Sequence, residues 1–448
     1  MRRMKSSMKA GRLTISTLVI LFAMLIQACD TKVNIEEPKR FYKLIGTDGD
    51  QFGVDMVIDG DDNVYILGTS TTITKGVQLY VVKTNPKGEL LWEKMFGDDG
   101  DEQAKDIELT RSGDLMIVAD HTDPAGERNF VIYRVSPDGA VVGTPKVDGS
   151  GGIADYANSI TETSDGFVVA GYTDNGVYKI GAIYRYDASL VPAPFWNRTI
   201  EQAEKSPSGV VIAGYDVVPI KTFQVNDNED FFYTFCYSNS PLSGDQVADY
   251  NFFVNVGNEF NQQRNVYFIH STDPNSNERL TSVAEVPVHL GGGFMMVGYT
   301  SNPGSNQQDI FAMKIVRGLA NIPPSQTSQY VVGTPRAIST GSTINPLSNA
   351  SVFPSNKSQG YVIIGTQNVA GNDNIYLTKI DASQTYADAW AEPHAFYSLG
   401  GEGNDLPGAV IETSDGRILL CGTMVLGKAT GQRKIVLMNV NPLGMFDE

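Results

Sequence analysis

RFYKLIGTDGDQFG, residues 40–53, and AFYSLGGEGNDLPG, residues 395–408, are two copies of one phrase, and WEKMFGDDGDEQA, beginning at Trp92, is a third. A short apolar strand that runs into a Gly-rich acidic turn therefore recurs at the start, in the interior and near the end of a 448-residue chain. A second phrase lies between the copies: four or five apolar residues ending in Gly and then Thr or Tyr. It occurs as VYILGTS (Gly68), FVVAGYT (Gly171), VVIAGYD (Gly214), FMMVGYT (Gly298), YVIIGTQ (Gly365) and ILLCGTM (Gly422), with LMIVADH placing Ala119 in the Gly position. Such runs are too short for helices and are apolar on both faces, so they predict strands buried on both sides.

Turns precede these runs. DGDDN (Asp59–Asn63), TRSGD (Thr110–Asp114) and TSDG (Thr163–Gly166 and Thr413–Gly416) reverse the chain because Gly accepts positive φ and Asp caps the turn. A further apolar strand follows, starting at Leu79, Phe130, Ala182, Ile310, Ile375 and Ile435, and Trp92, Trp196 and Trp390 close three of the copies. The Gly marks are spaced by 51, 52, 43, 84, 67 and 57 residues. A unit of roughly 50 residues with four short strands is the size of a propeller blade. An open stack of such sheets exposes two apolar ends, and a closed ring exposes none.

The repeated phrase also predicts how the ring closes. The last copy, from about Asp405, reaches only three strands, so Phe41–Ile45 is expected to supply its fourth and to pair with IVLMNV from Ile435. The expected fold is all-β, a seven-bladed β-propeller over residues 40–448. The long gap between Gly214 and Gly298 leaves two readings of about 216–282: an insertion in the fourth blade, which is favoured, or a degenerate eighth blade.

LIGTDGDQFGVDMVIDGDDNVYILGTS, Leu44–Ser70, resembles the bacterial seven-bladed beta-propeller repeat (SBBP-type) family, and Gly149–Thr173 and Gly400–Thr423 are similar to it. The resemblance covers residues 41–200 and 283–448 and implies a ring of seven blades.

Residues 1–28 stand apart. Arg2, Arg3, Lys5, Lys9 and Arg12 precede the apolar run Leu13–Ile26, which has the charge and length of a signal peptide and is short for a membrane span. Ile26-Gln27-Ala28-Cys29 resembles the bacterial lipobox, which implies that Cys29 is diacylated and becomes the first residue of a mature lipoprotein. Two or three acyl chains hold a protein to a membrane where one is marginal. Residues 29–39 then form a tether. The expected location is the cell envelope, lipid-anchored at the outer membrane and facing the periplasm or the surface, with the inner membrane as the open alternative.

The formal net charge is −17, and without the five basic residues of the leader 29 basic residues face 51 acidic ones, giving −22. That balance argues against nucleic acid and against attraction to anionic headgroups. A monomer is expected.

Chemistry is harder to find. Cys236 and Cys421 lie in apolar runs and predict buried, inert thiols. Asp59, Asp61 and Asn63 alternate as loop ligands do, and Asp98, Asp99, Asp101 and Glu102 crowd another turn, but Ser70 stands where a calcium loop needs its twelfth-position Glu. These read as solvated turns, and neither metal nor cofactor is expected. No nucleophile elbow, zinc-protease motif or phosphate loop occurs. The tryptophans read as wedge-filling core. Tyr237, Tyr250, Phe252, Phe253, Phe260 and Tyr267, interleaved with Asn and Gln, form the candidate contact surface, the competing reading being an insertion packed on its own core. Function is therefore expected to be binding or scaffolding of a protein or glycan partner. The alternative is an envelope hydrolase or lyase acting on polysaccharide through channel-facing carboxylates.

Overall fold

The apolar runs are strands flanked on both sides by antiparallel partners, which is why both of their faces are apolar. Seven four-stranded antiparallel sheets and one two-stranded hairpin hold the strands of the described residues. In this computed structural model those residues are 41–149, 152–193, 198–226, 230–240, 251–258, 263–267, 277–301, 307–319, 331–343, 350–357, 359–390, 396–427 and 431–442. The leader, the tether and Cys29 lie outside them.

The first strand, β1 (Tyr42–Ile45), precedes blade 1, which runs from its inner to its outer strand as β2 (Asp50–Ile58), β3 (Val64–Thr72), β4 (Gly76–Thr84) and β5 (Leu90–Phe96). Blade 2 is β6 (Asp101–Leu109), β7 (Leu115–Thr122), β8 (Arg128–Val135) and β9 (Lys146–Asp148). Blade 3 is β10 (Ala154–Glu162), β11 (Gly166–Asp174), β12 (Lys179–Asp187) and β13 (Arg198–Ile200). The hairpin β14 (Gln202–Lys205) and β15 (Val211–Tyr215) comes next. Blade 4 is β16 (Val217–Asn226), β17 (Asp230–Ser238), β18 (Asn251–Asn258) and β19 (Gln263–Tyr267). Blade 5 is β20 (Asn277–Glu285), β21 (Phe294–Ser301), β22 (Gln307–Ile315) and β23 (Val331–Thr343). Blade 6 is β24 (Ser351–Ser355), β25 (Gly360–Val369), β26 (Asn372–Ile380) and β27 (Phe396–Leu399). Blade 7 is β28 (Leu406–Glu412), β29 (Ile418–Leu426) and β30 (Gln432–Val440), completed by β1.

Inner strands pack in a circuit. β28 lies against β2, β2 against β6, β6 against β10, β10 against β16, β16 against β20, β20 against β24, and β24 against β28. The fold is a seven-bladed β-propeller, and the expected closure is present: Tyr42 pairs with Met438 and Leu44 with Val436. Phe41 N donates to Asn439 Oδ1 at 2.6 Å, and Asn439 N donates back to Phe41 O at 3.2 Å.

The blade count is as expected, but the structure corrects the path to it. The stretch read as an insertion, about 216–282, carries all of blade 4 and the start of blade 5, and no eighth four-stranded sheet occurs among the described residues. The inserted piece is the hairpin β14–β15, which stands between β13 and β16, whereas the turn Gly97–Gly100 alone joins β5 to β6. Its VVIAGYD copies a blade strand in sequence, yet Val210 is 65% and Ile212 68% exposed, because among the described residues only one strand, β14, pairs with it. In blade 4 the true equivalent of Gly68 is Cys236, paired with Pro219 as Gly68 is with Gly53. Blade 4 therefore lacks the Gly mark.

The Gly mark has a steric cause. Opposite Gly68, Gly171, Gly298 and Gly422 the inner strands β2, β10, β20 and β28 each carry a bulge, and the kink pushes a carbonyl against the neighbouring strand. A Cβ on Gly171 would lie 1.9 Å from Tyr156 O, and one on Gly298 2.1 Å from Arg279 O. The residue after the mark then ties two blades together: Thr423 Oγ1 accepts from Gly53 N at 3.1 Å, Thr69 Oγ1 from Ala104 N at 3.0 Å, and Asp120 Oδ1 from Ala157 N at 3.1 Å.

The tryptophans add a second tie. Trp92 Nε1 donates to Pro137 O at 3.2 Å and Trp390 Nε1 to Pro442 O at 3.3 Å, each reaching the turn after the third strand of the next blade. Trp390 is buried and Trp92 half-buried against the core between blades 1 and 2. Trp196 lies outside the described residues.

Candidate functional site: the central channel and its mouth

The seven inner strands surround a cavity of about 1340 Å³, larger than the roughly 300–1,000 Å³ common for small-ligand pockets. Bulges decide what faces it. After the unpaired residues Val54, Lys105, Asn158 and Ile220, the chain presents Asp55, Asp106, Ser159 and Lys221 at one level of the wall.

Two carboxylates and a lysine meet there. Lys221 Nζ lies 3.3 Å from Asp106 Oδ2, and Asp55 is hydrogen-bonded to Asp106. Burial, then the charge of Asp106 and that hydrogen bond, hold Asp55 well above the usual carboxylate range. Burial lifts Glu108 to about 7, against the opposing pull of Lys221. Burial also works to lower Lys221, but Asp106, Glu108 and Asp55 together raise it above the ordinary lysine value.

Most of these acids are engaged by backbone. Asp55 Oδ1 accepts from Met56 N at 2.8 Å and its Oδ2 from Ile107 N at 3.2 Å. Asp106 Oδ2 accepts from Ile160 N at 2.8 Å and Glu108 Oε1 from Glu162 N at 3.0 Å. Three of the four contacts cross from one blade to the next, so the cluster stitches blades 1, 2 and 3 as spokes.

The end of the channel where the inner strands begin has different chemistry. Tyr156 and Tyr172 are cross-strand partners whose rings stack at 4.8 Å and 18°. Arg128 Nη1 donates to Tyr156 OH at 2.7 Å, and Lys179 Nζ lies 5.3 Å from the Tyr172 ring. The Arg279 guanidinium lies 5.4 Å from the Tyr237 ring. Lys105 and Asp120 pair at 2.8 Å, whereas Lys179 is 3.8 Å from Asp216. Burial and then the Asp120 charge raise Tyr172, which stays a neutral phenol. Four cations and three tyrosines thus gather at one mouth of a strongly acidic protein.

The residues expected as an aromatic surface fare differently. Phe253 is in the core, where its burial is nearly complete, and Tyr237 is mostly buried at the channel wall. Phe252 and Tyr267 lie in β18 and β19, their side chains outside the description, and Tyr250 and Phe260 lie outside the described residues. Asn255 is buried and donates to Asn265 Oδ1 at 2.8 Å, as a strand pair does. Asp59 is used up by its own turn, accepting from Asp61 N at 3.0 Å and Asn63 N at 2.9 Å. The mouth residues were missed because Arg128, Tyr156, Lys179 and Arg279 come from three blades and no spacing links them. The one legible sign was Tyr172 beside its Gly mark.

No family model matches the chain, and no curated protein matches it. Among solved structures the chain is similar to one described as "Crystal structure of polysaccharide lyase Uly1", at 11% identity and a TM-score of 0.46, covering 92% of this chain and 94% of that one.

Proposed function

We propose that this chain is a cell-envelope lipoprotein, anchored through acylated Cys29, whose propeller binds an acidic glycan at the tyrosine-rich mouth of its channel. The mouth carries the reading: stacked Tyr156 and Tyr172 offer faces of the kind that hold sugar rings, and Lys105, Arg128, Lys179 and Arg279 offer positive charge for carboxylate or sulfate groups. The lipobox-like Ile26–Cys29 and the likeness of Leu44–Ser70 to bacterial propeller repeats support an envelope setting. The test is affinity electrophoresis of the soluble part through gels holding a uronate-rich or a neutral polysaccharide. Retardation by the acidic polymer alone, weakened by added salt and by Lys179→Ala, is expected. Equal mobility in both gels overturns it. Incorporation of an alkynyl fatty acid into the full chain, lost in Cys29→Ser, tests the anchor.

One observation favours a second reading, an envelope lyase or hydrolase on polysaccharide: Glu108, lifted to about 7 beside Lys221 in the channel, has a value suited to proton transfer near neutrality. Release of new reducing ends from an acidic polysaccharide, lost in Glu108→Gln, is the result that supports it.

A further inference from the structure

Two blade junctions use the same turn with different fillings. Between blades 7 and 1, the turn Gly46–Gly49 aims the carbonyls of Thr47 and Gly49 at the Lys434 ammonium, which lies 3.2 Å from Gly49 O and 2.8 Å from Gln51 Oε1. Between blades 1 and 2, the turn Gly97–Gly100 aims Asp98 O and Gly100 O at Gln78 Nε2, at 3.3 and 3.1 Å, with Glu102 Oε2 at 3.1 Å. Gln78 and Lys434 are equivalent, each paired with the residue two beyond its Gly mark, Ser70 and Met424. Gln51 and Glu102 are equivalent too.

A cradle that holds a full cation at one junction therefore holds a neutral amide at the other, although its side-chain acceptor has become an acid there. Two further groups converge on that acid. His121, the cross-strand partner of Glu102, is 5% exposed and places Nδ1 3.1 Å from Glu102 Oε1. Its Nε2 makes no hydrogen bond among the described residues. Asp98 reaches in from the exposed rim, with Oδ1 accepting from Gly100 N at 2.7 Å. Donor atoms of Asp98, Glu102 and His121 lie within 4.8 Å of one another.

We propose that Asp98, Glu102 and His121 form a binding site for a divalent transition metal of the Zn2+ or Mn2+ class. One imidazole nitrogen and two carboxylates suit such ions, with water completing the coordination, whereas calcium takes six or more oxygens. The metal supplies at this junction the positive charge that Lys434 supplies at the other. Of the two other acids there, Asp99 and Asp101, Asp101 is committed elsewhere, its Oδ1 accepting from Val77 N at 2.9 Å.

The test uses the full chain, stripped with chelator and titrated with ZnCl2 and with MnCl2 by calorimetry, alongside a thermal melt. One equivalent of saturable binding and a raised melting temperature are expected for at least one metal. Asp98→Asn, a rim substitution that leaves the core intact, and His121→Gln should each weaken binding by about tenfold or more, since loss of even an outer-shell partner has an effect of that size. The absence of saturable binding for either metal, or binding that Asp98→Asn leaves unchanged, overturns the site. Unlike the glycan reading, this result is independent of any polysaccharide.

Discussion

Tyr42 and Met438, at opposite ends of the chain, face each other as partners in one sheet, and Tyr42 OH reaches Met424 Sδ at 2.9 Å. Blade 7 owes its outer strand to this pairing. Deleting residues 41–45 leaves β30 as a raw edge and removes a handful of ladder bonds worth about 1 kcal/mol each. Urea unfolding should then give a stability lower by roughly 2–4 kcal/mol, and an unchanged midpoint refutes the closure as a stabilising contact.

Gly171 is held against Tyr156 O by the β10 bulge. Valine there forces the two strands apart, and the expected loss is about 1–3 kcal/mol, the range of overpacked core sites. Gly176, whose Cβ position is open, is the control for inserted bulk, though its φ of 81° adds strain of its own. Equal stability of Gly171→Val and wild type in a denaturant series would falsify the steric account.

Cys236 and Cys421 are free and buried, and burial drives both thiols upward, Cys421 to about 12. Thiolate is the reactive form. Both should resist a thiol reagent in the native protein and become reactive together as urea unfolds it. Rapid native labelling of either would contradict the packing of blades 4 and 7.

Glu108 titrates at about 7 in the folded protein against an ordinary 4.5. A raised carboxyl favours the folded state while protonated, so its contribution is fully present below pH 4.5 and is lost as pH rises through 7. Compared with Glu108→Gln, the wild type should lose up to about 3 kcal/mol across that window. Parallel stability–pH curves for the two proteins would exclude it.

The repeat was legible where sterics dictate residue type. Gly68, Gly171, Gly298 and Gly422 each face a carbonyl that a Cβ would strike, so the mark survives in the sequence. Blade 4 was missed because Cys236 fills that place, and the hairpin was mistaken for a blade because Val211–Tyr215 has the right local pattern without flanking strands to bury it. Burial depends on neighbours, which a local pattern does not encode. The channel mouth, and His121 as the partner of the crowded acids Asp98 and Glu102, were invisible for the same reason: strand pairing and blade packing bring these groups together. His121 sits opposite Glu102 only through the register of β6 with β7.

The seam between β1 and β30 has a mechanical consequence. A linear array sheds its terminal repeats one at a time, whereas here the first and last strands of the described residues are knitted into a single sheet, so peeling either strand opens the same blade and unpicks the whole circuit. Cutting the loop after β3 and linking Pro442 to Phe41 should therefore yield a permuted chain with its seam in blade 1, a hoop of the same parts fastened at a different point.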